Sequence, residues 1–257
     1  MSNTKLYIFI FAHQDDESAL YFEIEEAAKK NSIIKIFYLT RDSFKKNSIR
    51  NSESENVLKK IGVERDSIFF IGDELEIQDG SLAFYLSECI FNIKKKIGNY
   101  KLPTKIYVHA WEGGHQDHDA AHFVGLMLAT ELNLLASTYQ FPIYRRSDSR
   151  FIYFKLFDLL DKKNQVLLRK IPVLKRIKYM YFLFHYPSQW RTWLGLLPFY
   201  FLHYVINGNQ IIQKINPMSY KKKPHNGLLL YEFRDFFKYS TLKKEIKLYE
   251  YKKLSVL

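Results

Sequence analysis

Lys5-Leu6-Tyr7-Ile8-Phe9-Ile10-Phe11-Ala12, running straight into His13-Gln14-Asp15-Asp16-Glu17, decides how the chain folds. A short run rich in β-branched and aromatic side chains, apolar on both alternations, describes a strand buried on both faces. Such strands belong to parallel sheets covered by helices. The abrupt change to one imidazole and three carboxylates marks the strand's carboxyl end, where such sheets bind ligands. The run also has the look of a short signal sequence, but no small-residue cleavage site follows it. We read it as a first strand and the protein as cytoplasmic.

Outward from this strand, β-rich runs alternate with helical patterns. Glu17–Lys30 reads as a helix, Ile33–Thr40 as a strand, and Arg50–Ile61 as a helix that Gly62 can end. Ser67–Gly72 is a strand, Leu82–Ile97 a helix before Gly98, and Lys105–Ala110 a strand leading into a helix that begins near Asp117. Ala136–Phe141 is a fifth strand. The pattern predicts an α/β fold, a Rossmann-like, mostly parallel sheet with helices on both faces. Beyond residue 140 periodicity fades: Phe151–Leu160 and Leu167–Phe184 read as helical, Pro187 and Pro198 as breaks, and Leu228–Tyr231 as a late strand. With no repeat and no Gly/Ser/Pro-rich linker, residues 1–257 read as one domain, a core at 1–140 with a C-terminal basic and aromatic elaboration at 141–257.

A second polar cluster, Trp111-Glu112-Gly113-Gly114-His115-Gln116-Asp117-His118-Asp119, follows Lys105–Ala110 and again leads into a helix. Either cluster alone is open to a plain reading, because acidic residues before a helix cap it and complement its dipole. Together they point to chemistry. In the usual strand order the first and fourth strands are neighbours, and their loops meet at the switch point. Two imidazoles and a carboxylate are the set catalytic zinc favours, with a further position left for water. Ligand type favours zinc and leaves other divalent ions open. Cys89, the single cysteine, sits in an apolar helical pattern and reads as a small core residue.

The motifs AHQDDE and GGHQDH resemble the paired AHPDDE and HPDH motifs of the PIG-L/LmbE deacetylases, zinc enzymes that strip acyl groups from N-acetylglucosamine-type sugars on various carriers. Arg50-Asn51-Ser52-Glu53, Asp79-Gly80, His185–Gln189 (HYPSQ) and Glu232-Phe233 extend the resemblance along most of the chain. Carried over, it implies that His13, Asp16 and His118 hold the metal and that Asp15 is the general base. It gives His115 to the oxyanion or the leaving amine, and Asp117 would orient that imidazole. Arg50 and Asp79 become substrate contacts. Gln14 and Gln116 stand where the family commonly has proline, which leaves both loops less rigid in principle. His109 and His122 read as structural; His122, four residues from His118 on one helical face, is the rival third ligand.

The net charge of +12 hides a division: residues 1–140 hold 16 Lys+Arg against 20 Asp+Glu, and residues 141–257 hold 23 against 7. A basic half attracts anions. We therefore expect an N-acetylated amino sugar on an anionic, phosphate-bearing nucleotide or lipid carrier, in cell-surface glycan synthesis. A small soluble glycoconjugate, and a membrane- or nucleic-acid-binding protein with a vestigial metal site, are the alternatives. No nucleic-acid module is recognisable, which argues against that partner. The aromatic and basic segment Trp190–Ile206 suits either peripheral contact with an anionic membrane at its inner face or a lid packed on the sheet. No apolar run reaches the roughly 18 residues a membrane span requires.

Overall fold

The computed structural model describes residues 4–30, 32–99, 102–147, 154–160 and 164–255. In chain order the first part comprises β1 (Leu6–Phe11), α1 (Tyr21–Lys29), β2 (Ile33–Tyr38), α2 (Phe44–Lys60), β3 (Ile68–Phe70), α3 (Ile71–Glu74), α4 (Leu86–Ile97), β4 (Thr104–His109), α5 (Gln116–Glu131) and β5 (Thr138–Phe141). Then follow β6 (Tyr144–Arg146), β7 (Phe154–Leu156), β8 (Val166–Lys170), α6 (Val173–Leu183), α7 (Trp190–Leu202), β9 (Asn209–Lys214), α8 (Leu230–Phe233) and α9 (Tyr239–Leu254). Seven strands form one sheet in the order β3-β2-β1-β4-β5-β9-β8, parallel from β3 to β5 and antiparallel at β9 and β8. β6 and β7 pair apart from it.

Every residue of β1 is buried. Tyr7, Phe9 and Phe11 point into an aromatic layer shared with α1, α6 and α7, whereas Leu6, Ile8 and Ile10 point into an aliphatic layer shared with α4, α5 and α9. Helices thus cover both faces, as expected. Each such side chain contributes about 1.5–3 kcal/mol on burial, so the central strand alone fixes both layers. α5 lies close on β4 because residue 125 is glycine: a Cβ there would stand 2.1 Å from Val108 Cγ1.

The first five strands appear where the apolar runs placed them, and β1 does neighbour β4. Four readings beyond residue 140 are corrected. Leu167–Phe184 is strand β8 and then helix α6, because Pro172 lacks the N–H that a continuous helix would use. The helix read over Phe151–Leu160 is strand β7 where it is described; residues 151–153 lie outside the described residues. Leu228–Tyr231 contains no strand: the short helix α8 begins at Leu230, where the Glu232 side chain accepts the Leu229 N–H. Pro198 does not break the chain but lies within α7, on its exposed side, so that water can reach the carbonyl it leaves unpaired.

Candidate metal centre

β1 and β4 end side by side, and their loops bring the two motifs together. The ring centroid of His13 lies 4.6 Å from that of His115 and 5.3 Å from that of His118. Asp16 Oδ1 is 3.2 Å from His118 Nε2, and Asp16 Oδ2 is 3.4 Å from His13 Nδ1. One atom from each of His13, Asp16 and His118 falls within 4.8 Å of the others, and all three residues are buried. A second group, His13, Asp79, His115 and Asp117, meets the same distance on the other side of His13.

The donor chemistry fits a cation. Carboxylates of Asp16, Asp79 and Asp117 all lie within 3.4 Å of His13 nitrogens. Burial opposes a charge on His13, yet Asp79, Asp117 and Asp16 raise its pKa well above the usual value. Burial likewise opposes the charge on Asp16, but His118 and His109 hold it well below the carboxylate range. His118 Nδ1 is buried without a hydrogen-bond partner among the described residues, a state that ordinarily costs about 1–3 kcal/mol. Burial lowers the His118 pKa to about 4, which keeps the ring neutral and able to ligate. In the second group, by contrast, the Asp117 oxygens already accept the Gly80 and Leu82 N–H groups at 2.6 and 3.1 Å.

Asp15 occupies a left-handed backbone conformation, φ 103°, that non-glycine residues rarely adopt. Its surroundings enforce this. The Asp15 N–H donates to Glu17 Oε2 at 2.8 Å, and Arg50 donates to the Gln14 carbonyl at 2.8 Å. Burial pushes the Asp15 carboxyl well above its usual pKa, with Arg50, 3.9 Å away, opposing. Gln14, the residue in place of proline, ties its loop down by donating to Asn51 Oδ1 at 2.7 Å. Arg50 is buried within α2 rather than solvent-exposed at a helix start, and clamps the Asp15 loop as well as lining the cleft.

His115 Nδ1 accepts the Asp117 backbone N–H at 3.2 Å, so Asp117 orients this ring through its main chain while its carboxylate serves the 80–82 turn. A neutral His115 then carries its proton on Nε2. Burial first, and the neighbouring His13 next, lower its pKa to about 4. Asp79, 45% exposed, stands 3.2 Å from His13 Nε2 and 3.6 Å from His115 Nε2. His122, the rival ligand, has both nitrogens engaged, with the His109 carbonyl at 2.8 Å and Ser219 Oγ at 2.7 Å.

These groups line a cleft of about 220 Å³ that Tyr144, Trp193, Leu196, Tyr200, Arg234 and Phe236 complete. Trp193, Leu196 and Tyr200 belong to the segment Trp190–Ile206 that the sequence offered as membrane contact or lid, whereas Tyr144, Arg234 and Phe236 were not singled out from the sequence. His109, read as structural, stacks on His118 at 4.2 Å and reaches Asp16 Oδ2 at 3.2 Å, so it braces two of the buried trio. The weaker motif matches also meet: Glu53 accepts the Ser188 N–H at 2.9 Å, joining Arg-x-x-Glu to HYPSQ, and Gly80 meets Asp117. Among the described residues Glu232 only caps and pairs locally, with Leu229, Tyr239 and Lys223.

Residues 8–129 match the family model described as PIG-L, GlcNAc-PI de-N-acetylase. No curated protein sequence matches the chain. Among solved structures, the chain is similar to a deacetylase–teicoplanin complex from teicoplanin biosynthesis, with TM-score 0.59 and 12% identity over 82% of this chain and 97% of that one. It is similar to the zinc-inhibited form of teicoplanin deacetylase Orf2, with TM-score 0.57 and 13% identity over 82% and 97%. A third similar structure is the conserved protein TT1542 from Thermus thermophilus, with TM-score 0.57 and 15% identity over 84% and 96%. At such identities the likeness shows the fold. The resemblance first read from AHQDDE and GGHQDH is thereby met on both counts: residues 8–129 match the PIG-L family model, in a chain that folds as the LmbE-like deacetylases do.

Proposed function

We propose that the whole chain works as one divalent-metal-dependent hydrolase that removes an N-acyl group, acetyl above all, from an amino sugar. The convergence of His13, Asp16 and His118 beside Asp15 carries this reading. Those three residues would hold the ion, with zinc favoured by the ligand set. When bound, the ion supplies Lewis acidity to the acyl carbonyl and makes water a better acid. Asp15, outside the ligand set and raised in pKa, takes the proton from water as it attacks the amide. His115 presents Nε2–H to the developing oxyanion, or passes a proton to the leaving amine. Arg50 and Asp79 contact the sugar from the cleft wall.

The carrier of the sugar is anionic in this reading, a nucleotide or a lipid phosphate, as the excess of cations after residue 140 and Arg234 in the cleft wall both support. We place the enzyme in the cytoplasm, in peripheral contact with an anionic membrane and serving cell-surface glycan synthesis; the buried, unpaired Cys89 suits a reducing compartment. Mass spectrometry of N-acetylated sugars, sugar nucleotides and lipid-linked sugars after incubation with protein given stoichiometric Zn²⁺, Co²⁺ or Mn²⁺ tests the proposal. A free amine should appear in at least one class and vanish with a chelator. A panel untouched under every metal, by protein that holds one ion per chain, would refute it.

A further inference from the structure

α7 has two apolar sides. Its inner side packs Trp193, Leu196 and Tyr200 into the core and against the cleft, so the segment is partly the lid that the sequence allowed. Its outer side is also apolar: Trp190, Leu194 and Phe201 are 58%, 71% and 53% exposed. On the adjacent α6, Leu174, Ile177 and Tyr181 recur at helical spacing and are 81%, 56% and 61% exposed. A helix that meets only water carries polar residues on its outer face. An apolar stripe on two consecutive helices has a partner.

Charge identifies the partner. Residues 164–231 contain ten Lys+Arg and not one Asp or Glu. Lys175 and Lys178 turn to Glu25 and Glu26 of α1, at 2.8 Å for Lys175–Glu26 and 3.3 Å for Lys178–Glu25, which places these cations at the border of the stripe. The exposed Arg191 lies over the Trp190 ring, 5.4 Å from its centroid, and Lys170 is exposed beside α6. A second copy packed on this face about a twofold axis would bury Arg191 and Lys170 with no carboxylate of residues 164–231 to pair them. A nucleic acid would use the cations and leave the aliphatic side chains wet. Apolar side chains bordered by Lys175 and Lys178, which Glu25 and Glu26 pair, and by the exposed Arg191 and Lys170, which form no ion pair among the described residues, suit the headgroup region of an anionic bilayer.

We propose that the outer face of α6 and α7 docks on an anionic lipid bilayer, which brings the membrane to the helix that walls the cleft. The docking deepens the deacetylase reading, since it would present lipid-linked amino sugars, but binding itself requires no turnover. Its failure would therefore leave deacetylation standing.

The test is co-sedimentation of the full chain with phosphatidylcholine vesicles and with vesicles that also contain phosphatidylglycerol, at low and high salt. The chain should pellet with the anionic vesicles and not with the neutral ones. The variant Leu174→Ser/Leu194→Ser/Phe201→Ser, none of whose positions lines the cleft, should weaken the binding left at high salt by about tenfold or more, since each substitution removes apolar area from the interface. Its melting temperature and its activity on a soluble N-acetylated sugar should match those of the parent. Indifference of the parent to anionic vesicles, or equal binding by the variant, would overturn the proposal. So would sedimentation velocity showing a parent dimer that the triple variant abolishes, which would make the occupant a second copy.

Discussion

Gly114→Ala is expected to separate catalysis from metal binding. A Cβ on residue 114 would stand 1.9 Å from the Tyr144 carbonyl oxygen and 3.2 Å from Tyr144 Cδ2. The obstacle is backbone, and Glu112 pins it by accepting the Ile143 and Tyr144 N–H groups at 2.9 and 3.2 Å. Close-packed atoms of this kind approach to about 3 Å, so the two segments must part by roughly 1 Å. The segment that moves carries His115. Misplacement of a reacting group by about 1 Å costs on the order of 10² in rate, or about 2.7 kcal/mol in the barrier. Overpacking should also cost about 1–3 kcal/mol in stability. Because His13, Asp16 and His118 lie outside the displaced turn, metal content should stay near one ion per chain. Acetate release, elemental analysis and thermal unfolding read the three quantities. Gly195→Ala, whose Cβ meets nothing within 4 Å, is the control and should stabilise slightly. A Gly114→Ala protein with parental rate and melting temperature would refute the reasoning.

Asp15→Asn should keep the metal and lose on the order of 10² to 10⁴ in turnover, because an amide cannot take the proton from water; near-parental turnover in metal-replete protein would remove Asp15 from the reaction. His118→Ala should empty the site, whereas His122→Ala should leave it filled and only destabilise the fold, since both His122 nitrogens are already bonded; equal metal loss in the two would reinstate His122 as a ligand. Burial works against the charge on Glu25, but Tyr179 and the lysines around it lower its pKa to about 2. Its folded pKa thus lies below the unfolded one, so the ionised side chain stabilises the protein above about pH 4.5 and ceases to as pH falls towards 2. Glu25→Gln should cost about 1–2 kcal/mol at pH 7, discounted for solvent around the lysines, and almost nothing near pH 2; a cost independent of pH in urea titrations would contradict the ionic account.

The parallel half of the fold was legible because its strands are buried on both faces and read as continuous apolar runs, so that β1 to β5 could be placed to within a residue or two of their ends. β8 and β9 were not legible for the opposite reason. Val166–Lys170 lies at the sheet edge, half exposed, and its mixture of aliphatic residues and cations fits a helical stripe as readily as a strand. That the two polar clusters meet was legible because each follows a strand and the strand order brings their loops together, whereas His13, Asp16 and His118 in particular were named through the family resemblance of AHQDDE and GGHQDH. Nothing local in the sequence says that His109 turns towards Asp16, because the register of β4 against β1 decides it. Tyr144, Arg234 and the inner face of α7 reach the cleft through long-range packing that no spacing in the chain encodes.

The most direct test of the central claim is the reaction itself in water enriched in heavy oxygen. Metal-loaded protein given an N-acetylated amino sugar of the class it accepts should release acetate carrying one solvent oxygen, together with an equal amount of free amine that carries none, and Asp15→Asn should suppress both equally. Free amine formed without labelled acetate would mean acyl transfer rather than hydrolysis. Equal release by parent and Asp15→Asn, or none from any N-acetylated sugar by protein holding its metal, would contradict the account.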